Sequence, residues 1–203
     1  MLPVDKQASL PPDYGPPDLV AYPRANKPLR VRRRIVADLD GLLDACAGAV
    51  GEAPLVVSAY RCYAEQATLF QSYVQDELAA GHPAHEADRR ANSYSARPGH
   101  SEHQLGTTVD LSVTELGYQL SPSFGSTDVG CWLLGAAHRF GFAYSYPAGK
   151  ERLTGYVYEP WHLRWVGRDL AARVHAAGYL DPASPLTLSR WLASLTEVDL
   201  SLR

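Results

Sequence analysis

The sequence predicts an α+β fold with a small, mainly antiparallel sheet flanked by helices. Helical patterns come early in the chain, most strand patterns come later, and no internal repeat is present. The 203 residues suit one domain or one domain with extensions, and a hydrophobic content of 46% is enough for a real core. These observations favour a single mixed domain over a repeat protein.

The first 29 residues have a different composition from the rest of the chain. Prolines fix the backbone in extended conformations and stop helices, so we predict a proline-rich N-terminal arm over 1–29, packed on the surface of the domain. Residues 30–203 are then the domain that carries the chemistry. The prolines of the arm are Pro3, Pro11, Pro12, Pro16, Pro17, Pro23 and Pro28.

The elements up to residue 99 follow from periodicity. Residues 30–50 place apolar side chains at helical spacing, and the β-branched run at 54–60 is typical of a buried strand. Residues 64–81 predict a helix that ends at a glycine. The polar residues 82–99 predict turns.

The second half begins with an alternating segment. Residues 107–113 place Val109 and Leu111 on one face and Asp110 on the other, which predicts a half-buried strand. The remaining patterns predict, in order, a loop at 114–127, a helix at 128–141, strands at 142–147 and at 154–167 with a break at Pro160, and helices at 168–178 and 186–195.

Composition excludes several classes of function. A net charge of −3 offers no electrostatic attraction to nucleic acid, and the basic run at 30–34 is typical of a surface patch. No stretch has the roughly 20 apolar residues of a membrane span. The N-terminus lacks the apolar segment of a signal peptide, so we expect a chain that stays inside or begins after a removed leader. Three widely spaced cysteines argue against a cysteine-rich zinc site.

The segment at 100–112, HSEHQLGTTVDLS, holds candidate metal ligands. His103 offers an imidazole and Asp110 a carboxylate, and a catalytic zinc site needs three protein ligands and one open position. The best third ligand is His162, because Glu159 stands three residues before it and Pro160 keeps Glu159 out of a helix. The hypothesis is one zinc ion on His103, Asp110 and His162, with Glu159 as general base toward a water.

The other histidines are predicted to be ordinary polar residues. His82 and His85 lie in a polar segment, and His138 and His175 lie on predicted helices. His100 is predicted not to be a ligand, because a further histidine would close the position that the water needs.

Two other classes of protein remain open from these residues. Two histidines and a carboxylate also form the centre of non-haem iron oxygenases, although the usual His-x-Asp pairing of that class is absent. A non-catalytic module could hold zinc for structure and recognise a partner. Glu159 argues against both, because neither an oxygenase nor a structural site needs a base beside the metal.

Three segments together resemble a known family. SEHQLGTTVD, EPWH and SAYRCYAEQ are similar in order and spacing to the signatures of the zinc D-alanyl-D-alanine carboxypeptidases of the VanY-like type. This family shares its fold with D-Ala-D-Ala dipeptidases, murein endopeptidases and the hedgehog signalling domain. The resemblance covers roughly residues 1–195 and implies an antiparallel α+β fold and a zinc carboxypeptidase domain.

The resemblance implies roles for further residues. It assigns Arg61 to the C-terminal carboxylate of a peptide substrate, which a guanidinium binds with two hydrogen bonds. Gln66 and Ser101 would hydrogen-bond the substrate, and Trp161 would form part of the cleft wall. One residue departs from the pattern: Thr108 stands where the family has alanine, which concerns packing and substrate preference beside the site.

The implied reaction is hydrolysis of the C-terminal D-Ala-D-Ala bond of peptidoglycan stem peptides. The alternatives are an L,D-carboxypeptidase that acts on tetrapeptide stems and a zinc-stabilised module that binds cell-wall peptides. We expect a monomer with no nucleic-acid partner and no membrane span. The substrate implies a location in the cell envelope or outside the cell, and the sequence leaves a cytoplasmic location open.

Overall fold

A four-stranded antiparallel sheet forms the centre of the computed structural model, which describes residues 3–25 and 27–195. Its strands are β3 (Leu55–Ser58), β4 (Thr108–Ser112), β5 (Phe142–Tyr144) and β6 (His162–Trp165). Their order across the sheet is β3-β4-β6-β5, so β4 and β6 are the two inner strands. The predicted combination of helices with a small antiparallel sheet is confirmed.

The helices cover the sheet and enclose one main hydrophobic core. Leu39, Leu42 and Leu43 of the first helix are fully buried against Val109 and Leu111 of β4 and their neighbours. No helix in the described part of the chain is both long and apolar enough to cross a membrane. The helices are α1 (Val36–Val50), α2 (Tyr63–Ala79), α3 (Ala84–Tyr94), α4 (Asp128–Ala136), α5 (Glu151–Thr154), α6 (Arg168–Ala176) and α7 (Leu188–Ala193).

A separate two-stranded ribbon joins the proline-rich segment to the domain. Strand β1 (Leu19–Tyr22) pairs antiparallel with β2 (Leu29–Arg32). The helix predicted over 30–50 therefore begins only at Val36, because the backbone of Leu29–Arg32 bonds to β1 and Arg33–Ile35 form a 3-10 turn. Nearer the N-terminus, Val4 and Leu10 are buried with Leu105 in a small second cluster. The division of the chain at residue 29 stays a prediction.

The predicted turn region at 82–99 contains a helix. Residues Ala84–Tyr94 form α3, whose buried residues are Ala87 and Ala91. Two alanines four residues apart let the helix pack closely on α2, but they add little hydrophobic signal in a polar segment. The expectation of turns alone was wrong for this reason.

Two strand predictions also need correction. All five residues of β4 are buried, not every second one, because β4 is an inner strand whose polar face is also covered by protein and not by water. The strand predicted over 154–167 is ordered as a strand only at His162–Trp165, after Pro160. The helix predicted at 128–141 ends at Ala136 and continues as a 3-10 turn to Phe140.

Thr108 on β4 supports a prediction about stability. Its side chain is fully buried, and its hydroxyl has no hydrogen-bond partner within residues 3–25 and 27–195. An unsatisfied buried hydroxyl is unfavourable, so Thr108→Val, which keeps the shape, should raise the free energy of unfolding by about 1 kcal/mol. Thermal or urea unfolding would measure the change, and a lower stability of the variant would show that the hydroxyl is satisfied.

Candidate active site

Asp110 and His162 face each other across the two inner strands of the sheet. They are direct partners in the antiparallel register of β4 and β6, so both side chains leave the same face. Central strands are hydrogen-bonded on both sides, which makes them rigid mounts for functional groups. The alternation along β4 places Val109 and Leu111 in the core and leaves Asp110 on the other face.

His103 reaches the same place from a 3-10 turn, Glu102–Leu105, that precedes β4. The Ser101 hydroxyl accepts a 3.3 Å hydrogen bond from the backbone N–H of His103 and starts the turn. Gly106 ends it with a φ of 69°, and a Cβ there would lie 3.0 Å from Cγ of Arg32 and from Cδ2 of Leu19. Glycine thus allows the reversal that brings His103 back over Asp110.

The three side chains converge on one point. Their ligand atoms all lie within 4.8 Å of one another. Nε2 of His103 lies 3.2 Å from Oδ2 of Asp110, and Nδ1 of His162 lies 3.2 Å from Oδ1. All three residues are buried, with at most 4% of their surface exposed. The structure therefore brings together the three residues that the sequence predicted as ligands.

The donor set fits a divalent transition metal such as zinc. Two imidazoles and a carboxylate are common zinc ligands, and a fourth position would remain open. Oδ1 of Asp110 is buried and, among the described residues, has no hydrogen bond of acceptable geometry. A buried carboxylate oxygen without a donor is costly unless a cation satisfies it.

In both His103 and His162, the ring nitrogen that points away from Asp110 lies next to a hydrogen-bond acceptor. Nδ1 of His103 lies 2.7 Å from the carbonyl oxygen of Ala59, and Nε2 of His162 lies 2.9 Å from Oε2 of Glu102. A carbonyl or carboxylate oxygen only accepts, so each of these nitrogens carries the proton. The opposite nitrogens, which face Asp110, are then left with lone pairs for a metal.

The electrostatics of the cluster suit a cation. Burial opposes a charge on His162, but the neighbouring carboxylates of Asp110 and Glu102 prevail and raise the pKa of His162 to about 10. Burial likewise acts against the charge of Asp110, yet His103 and His162 keep the pKa of this carboxyl well below its usual range. Without a metal the cluster holds a proton, and a bound cation would take the place of that positive charge.

Glu159 lies beside the cluster in the turn before β6. Its Oε2 is 3.5 Å from Nδ1 of His162, and its backbone N–H donates to the carbonyl of Tyr146 at 3.0 Å. Only 8% of the residue is exposed, and burial raises the pKa of Glu159 to about 7, against the opposing effect of His162. A carboxyl with a pKa near neutrality can both accept and release a proton.

Arg61 faces the same cavity, which has a volume of about 270 Å³. It follows β3, and its Nε donates a 2.6 Å hydrogen bond to Oε1 of Gln66. The amide of Gln66 in turn donates to the carbonyl of Ala96 at 2.6 Å, so the pair is anchored to the backbone. Over the described ranges, no acidic side chain forms an ion pair with Arg61, which leaves its charge available to an anionic ligand.

Of the remaining predicted residues, two line the cavity and one holds Arg61 in place. Ser101 and Trp161 line the cavity, whereas Gln66 is buried behind the lining residues Arg61 and Ala96 and hydrogen-bonds to both. His100 lies apart from the cluster, with Nδ1 2.7 Å from the carbonyl of Asp5. His138 and His175 stack on each other at a ring distance of 3.7 Å, also outside the site.

Sequence reasoning missed three polar residues behind the cluster. Glu102, Ser145 and Arg164 are buried and connected to each other, and Glu102 contacts His162. The only available signal was that Glu102 stands directly before His103. Tyr146 was also missed, and its ring lies 4.7 Å from that of His162.

This geometry is typical of one class of protein: hydrolases that hold a divalent metal on histidine and carboxylate ligands next to a buried glutamate. The family can also be stated. Residues 28–168 match the model of the VanY family, described as D-alanyl-D-alanine carboxypeptidase, and the chain belongs to this family.

Two relatives extend the similarity over most of the chain. The protein named YodJ of Bacillus subtilis (strain 168) is 36% identical over 174 residues, which cover 83% of this chain and 60% of that protein. A D-alanyl-D-alanine carboxypeptidase of Enterococcus faecalis (strain ATCC 700802 / V583) is 34% identical over 175 residues, covering 86% and 61%. The chain thus spans about three fifths of the length of these relatives.

Solved structures agree with the family assignment. The LdcB LD-carboxypeptidase has a TM-score of 0.79 and 32% identity, and the match covers 96% of this chain and 86% of that one. VanYB in complex with D-Ala-D-Ala has the same TM-score and identity and covers 96% and 98%. A mutant of the D,D-pentapeptidase VanY in complex with Zn(II) has a TM-score of 0.74 and 33% identity, covering 87% and 93%.

Proposed function

We propose that this protein is a zinc-dependent carboxypeptidase that hydrolyses the C-terminal D-Ala-D-Ala bond of peptidoglycan stem peptides. The observation that carries the proposal is the meeting of His103, Asp110 and His162 in one cavity with Glu159 and Arg61. The VanY family and the relatives with D-Ala-D-Ala and Zn(II) support the same activity.

The proposed metal is a single zinc ion on His103, Asp110 and His162. When bound, zinc would polarise the scissile carbonyl and lower the pKa of water to about 7. Glu159 would accept a proton from the attacking water at Oε2 and deliver it to the leaving amine. Its burial and its raised pKa suit both halves of that transfer.

Arg61 would select the substrate by its free C-terminus. No acidic side chain of the described residues forms an ion pair with Arg61, and a guanidinium binds a carboxylate with two charge-assisted hydrogen bonds. Gln66 would hold Arg61 in place through the 2.6 Å bond to its Nε. Ser101 would hydrogen-bond the peptide, and Trp161 would close one side of the cleft.

Arg61→Met should lower kcat/KM by about 10–100-fold, mostly through KM, because bonds to a charged group contribute roughly 1.5–3 kcal/mol. The effect should disappear with a substrate whose C-terminus is amidated, since there is no carboxylate to bind. Steady-state kinetics with the acid and amide forms of one peptide would measure this. Equal losses on both forms would assign Arg61 a structural role.

A second activity is favoured by one comparison. The likeness to the LdcB LD-carboxypeptidase equals that to VanYB in TM-score and identity. We therefore keep an L,D-carboxypeptidase on tetrapeptide stems as the alternative. The glutamate beside the metal ligands favours either hydrolase over a module that only binds cell-wall peptides, and over an oxygenase.

The decisive experiment incubates the zinc-loaded protein with pentapeptide and tetrapeptide stems and identifies the products by mass spectrometry. We expect loss of one D-Ala from the pentapeptide, with no change in the tetrapeptide. Shortening of the tetrapeptide alone would favour the alternative, and binding of both without cleavage would favour the module. Because the substrate lies outside the cytoplasm, we place the activity in the cell envelope or outside the cell. A monomeric state stays a prediction.

A further inference from the structure

Glu102 bridges a proposed metal ligand and a buried arginine. Its Oε2 accepts from Nε2 of His162 at 2.9 Å, and its Oε1 accepts from Nη1 of Arg164 at 2.7 Å. The Ser145 hydroxyl also donates to Oε2. Glu102 is 2% exposed and Arg164 is fully buried, so water does not screen these bonds.

The two histidines are oriented by different kinds of acceptor. His103 donates to a neutral backbone carbonyl, whereas His162 donates to the carboxylate of Glu102. Glu102 and His103 are neighbours in the same 3-10 turn. One turn therefore supplies a proposed ligand and the group that orients the other histidine across the sheet.

We propose that Glu102 is a positioning residue for the metal centre: it fixes the Nε2–H tautomer of His162, so that the lone pair of Nδ1 faces Asp110 and the metal. Arg164 has the supporting role of fixing which oxygen of Glu102 points at His162. This inference rests on the proposed zinc site. It concerns the residues that hydrogen-bond to the proposed ligands without binding the metal themselves.

The directions of these hydrogen bonds require a carboxylate at position 102. His162 must donate from Nε2, and Arg164 can only donate, so the side chain between them must accept on both sides. Glutamate does so, but glutamine offers one acceptor and one donor. Because the Arg164 guanidinium takes the amide oxygen, the new side chain in Glu102→Gln would turn its NH₂ toward Nε2 of His162. Nε2 would then have to accept, and the proton would move to Nδ1, where the metal should bind.

The two substitutions of Glu102 should therefore show an unusual order of effects. Glu102→Ala removes the orienting group but leaves His162 free to adopt either tautomer, so zinc affinity should fall by about 10–100-fold. Glu102→Gln keeps the volume but favours the wrong tautomer, so its zinc affinity should fall at least as far. A purely structural role predicts the reverse order, since glutamine is the milder change for packing.

The experiment measures zinc dissociation constants by chelator competition for wild type, Glu102→Gln and Glu102→Ala, with circular dichroism to confirm that each is folded. Ser145→Ala is the matched control, because it removes another hydrogen bond to Oε2 and should leave zinc affinity close to that of wild type. Absorption spectra of the cobalt-loaded proteins report the ligand field directly and should change in Glu102→Gln but not in Ser145→Ala.

The outcomes separate the two proposals. If wild type binds zinc and Glu102→Gln binds it more tightly than Glu102→Ala, the positioning role is overturned while the zinc site stands. If Glu102→Ala does not fold, the comparison of Glu102→Gln with Ser145→Ala decides, and equal affinities overturn the role. If wild type itself fails to bind zinc, the proposed function fails first.

Discussion

Glu159→Gln is expected to lower kcat on a pentapeptide stem by roughly 10²–10⁴-fold without loss of zinc. The side chain keeps its volume in a site where only 8% of the residue is exposed, so the fold and the three proposed ligands should be undisturbed. What disappears is the group that takes a proton from water and passes it to the leaving amine. Steady-state kinetics and metal analysis of the same preparation would measure both quantities.

The control for Glu159 is Glu115→Gln, which removes an equal charge from an exposed position and should leave kcat unchanged. The pH dependence gives a second check. Wild-type activity should fall on the acidic side as Glu159 takes up a proton, and the residual activity of the variant should lack that limb. Substantial activity in Glu159→Gln, or loss of its zinc, would contradict the assignment of Glu159 as the base.

Asp110→Asn is expected to abolish activity by removing the metal. The amide keeps the shape but loses the charge that compensates a divalent cation, and its NH₂ group would point toward an imidazole nitrogen. Loss of a residue that only hydrogen-bonds to a metal ligand raises the dissociation constant by roughly 10–100-fold. Because Asp110 is a proposed ligand itself, its substitution should raise the zinc dissociation constant by more than that.

The matched control for Asp110 is Asp13→Asn, a change at an exposed carboxylate far from the cluster in sequence. It should bind zinc like wild type. Chelator competition measures both variants. Excess zinc should restore part of the activity of Asp110→Asn if the loss is one of affinity. Unaltered zinc binding by this variant would remove Asp110 from the proposed ligand set.

The arrangement of elements could be predicted where periodicity is strong. The apolar stripe that forms α1 and the alternation at β4 are local patterns, and both appear in the structure close to their predicted positions. The helix at Ala84–Tyr94 was missed because its packing depends on two alanines and on contact with α2. The strand Leu29–Arg32 was missed because its pairing partner lies in a segment dominated by prolines.

The residues of the site likewise include some that local sequence predicts and some that depend on tertiary contacts. The candidate ligands and base were chosen from residue type and spacing, since few arrangements of histidine and carboxylate suit a metal and a water. Glu102 had no such signal. Its importance comes from His162 and Arg164, which are distant in sequence and approach it only when β6 joins the sheet.

The class of fold, the chemical types available to the site and the resemblance to a carboxypeptidase family could be predicted from the amino-acid sequence, because these depend on local pattern and on side-chain chemistry. The nitrogen of each histidine that faces the proposed metal position, and the groups that hold the other nitrogen, became apparent only in the folded protein. The physical reason is that a tautomer is set by hydrogen-bond partners, and here those partners lie on strands and turns that meet only in the folded protein.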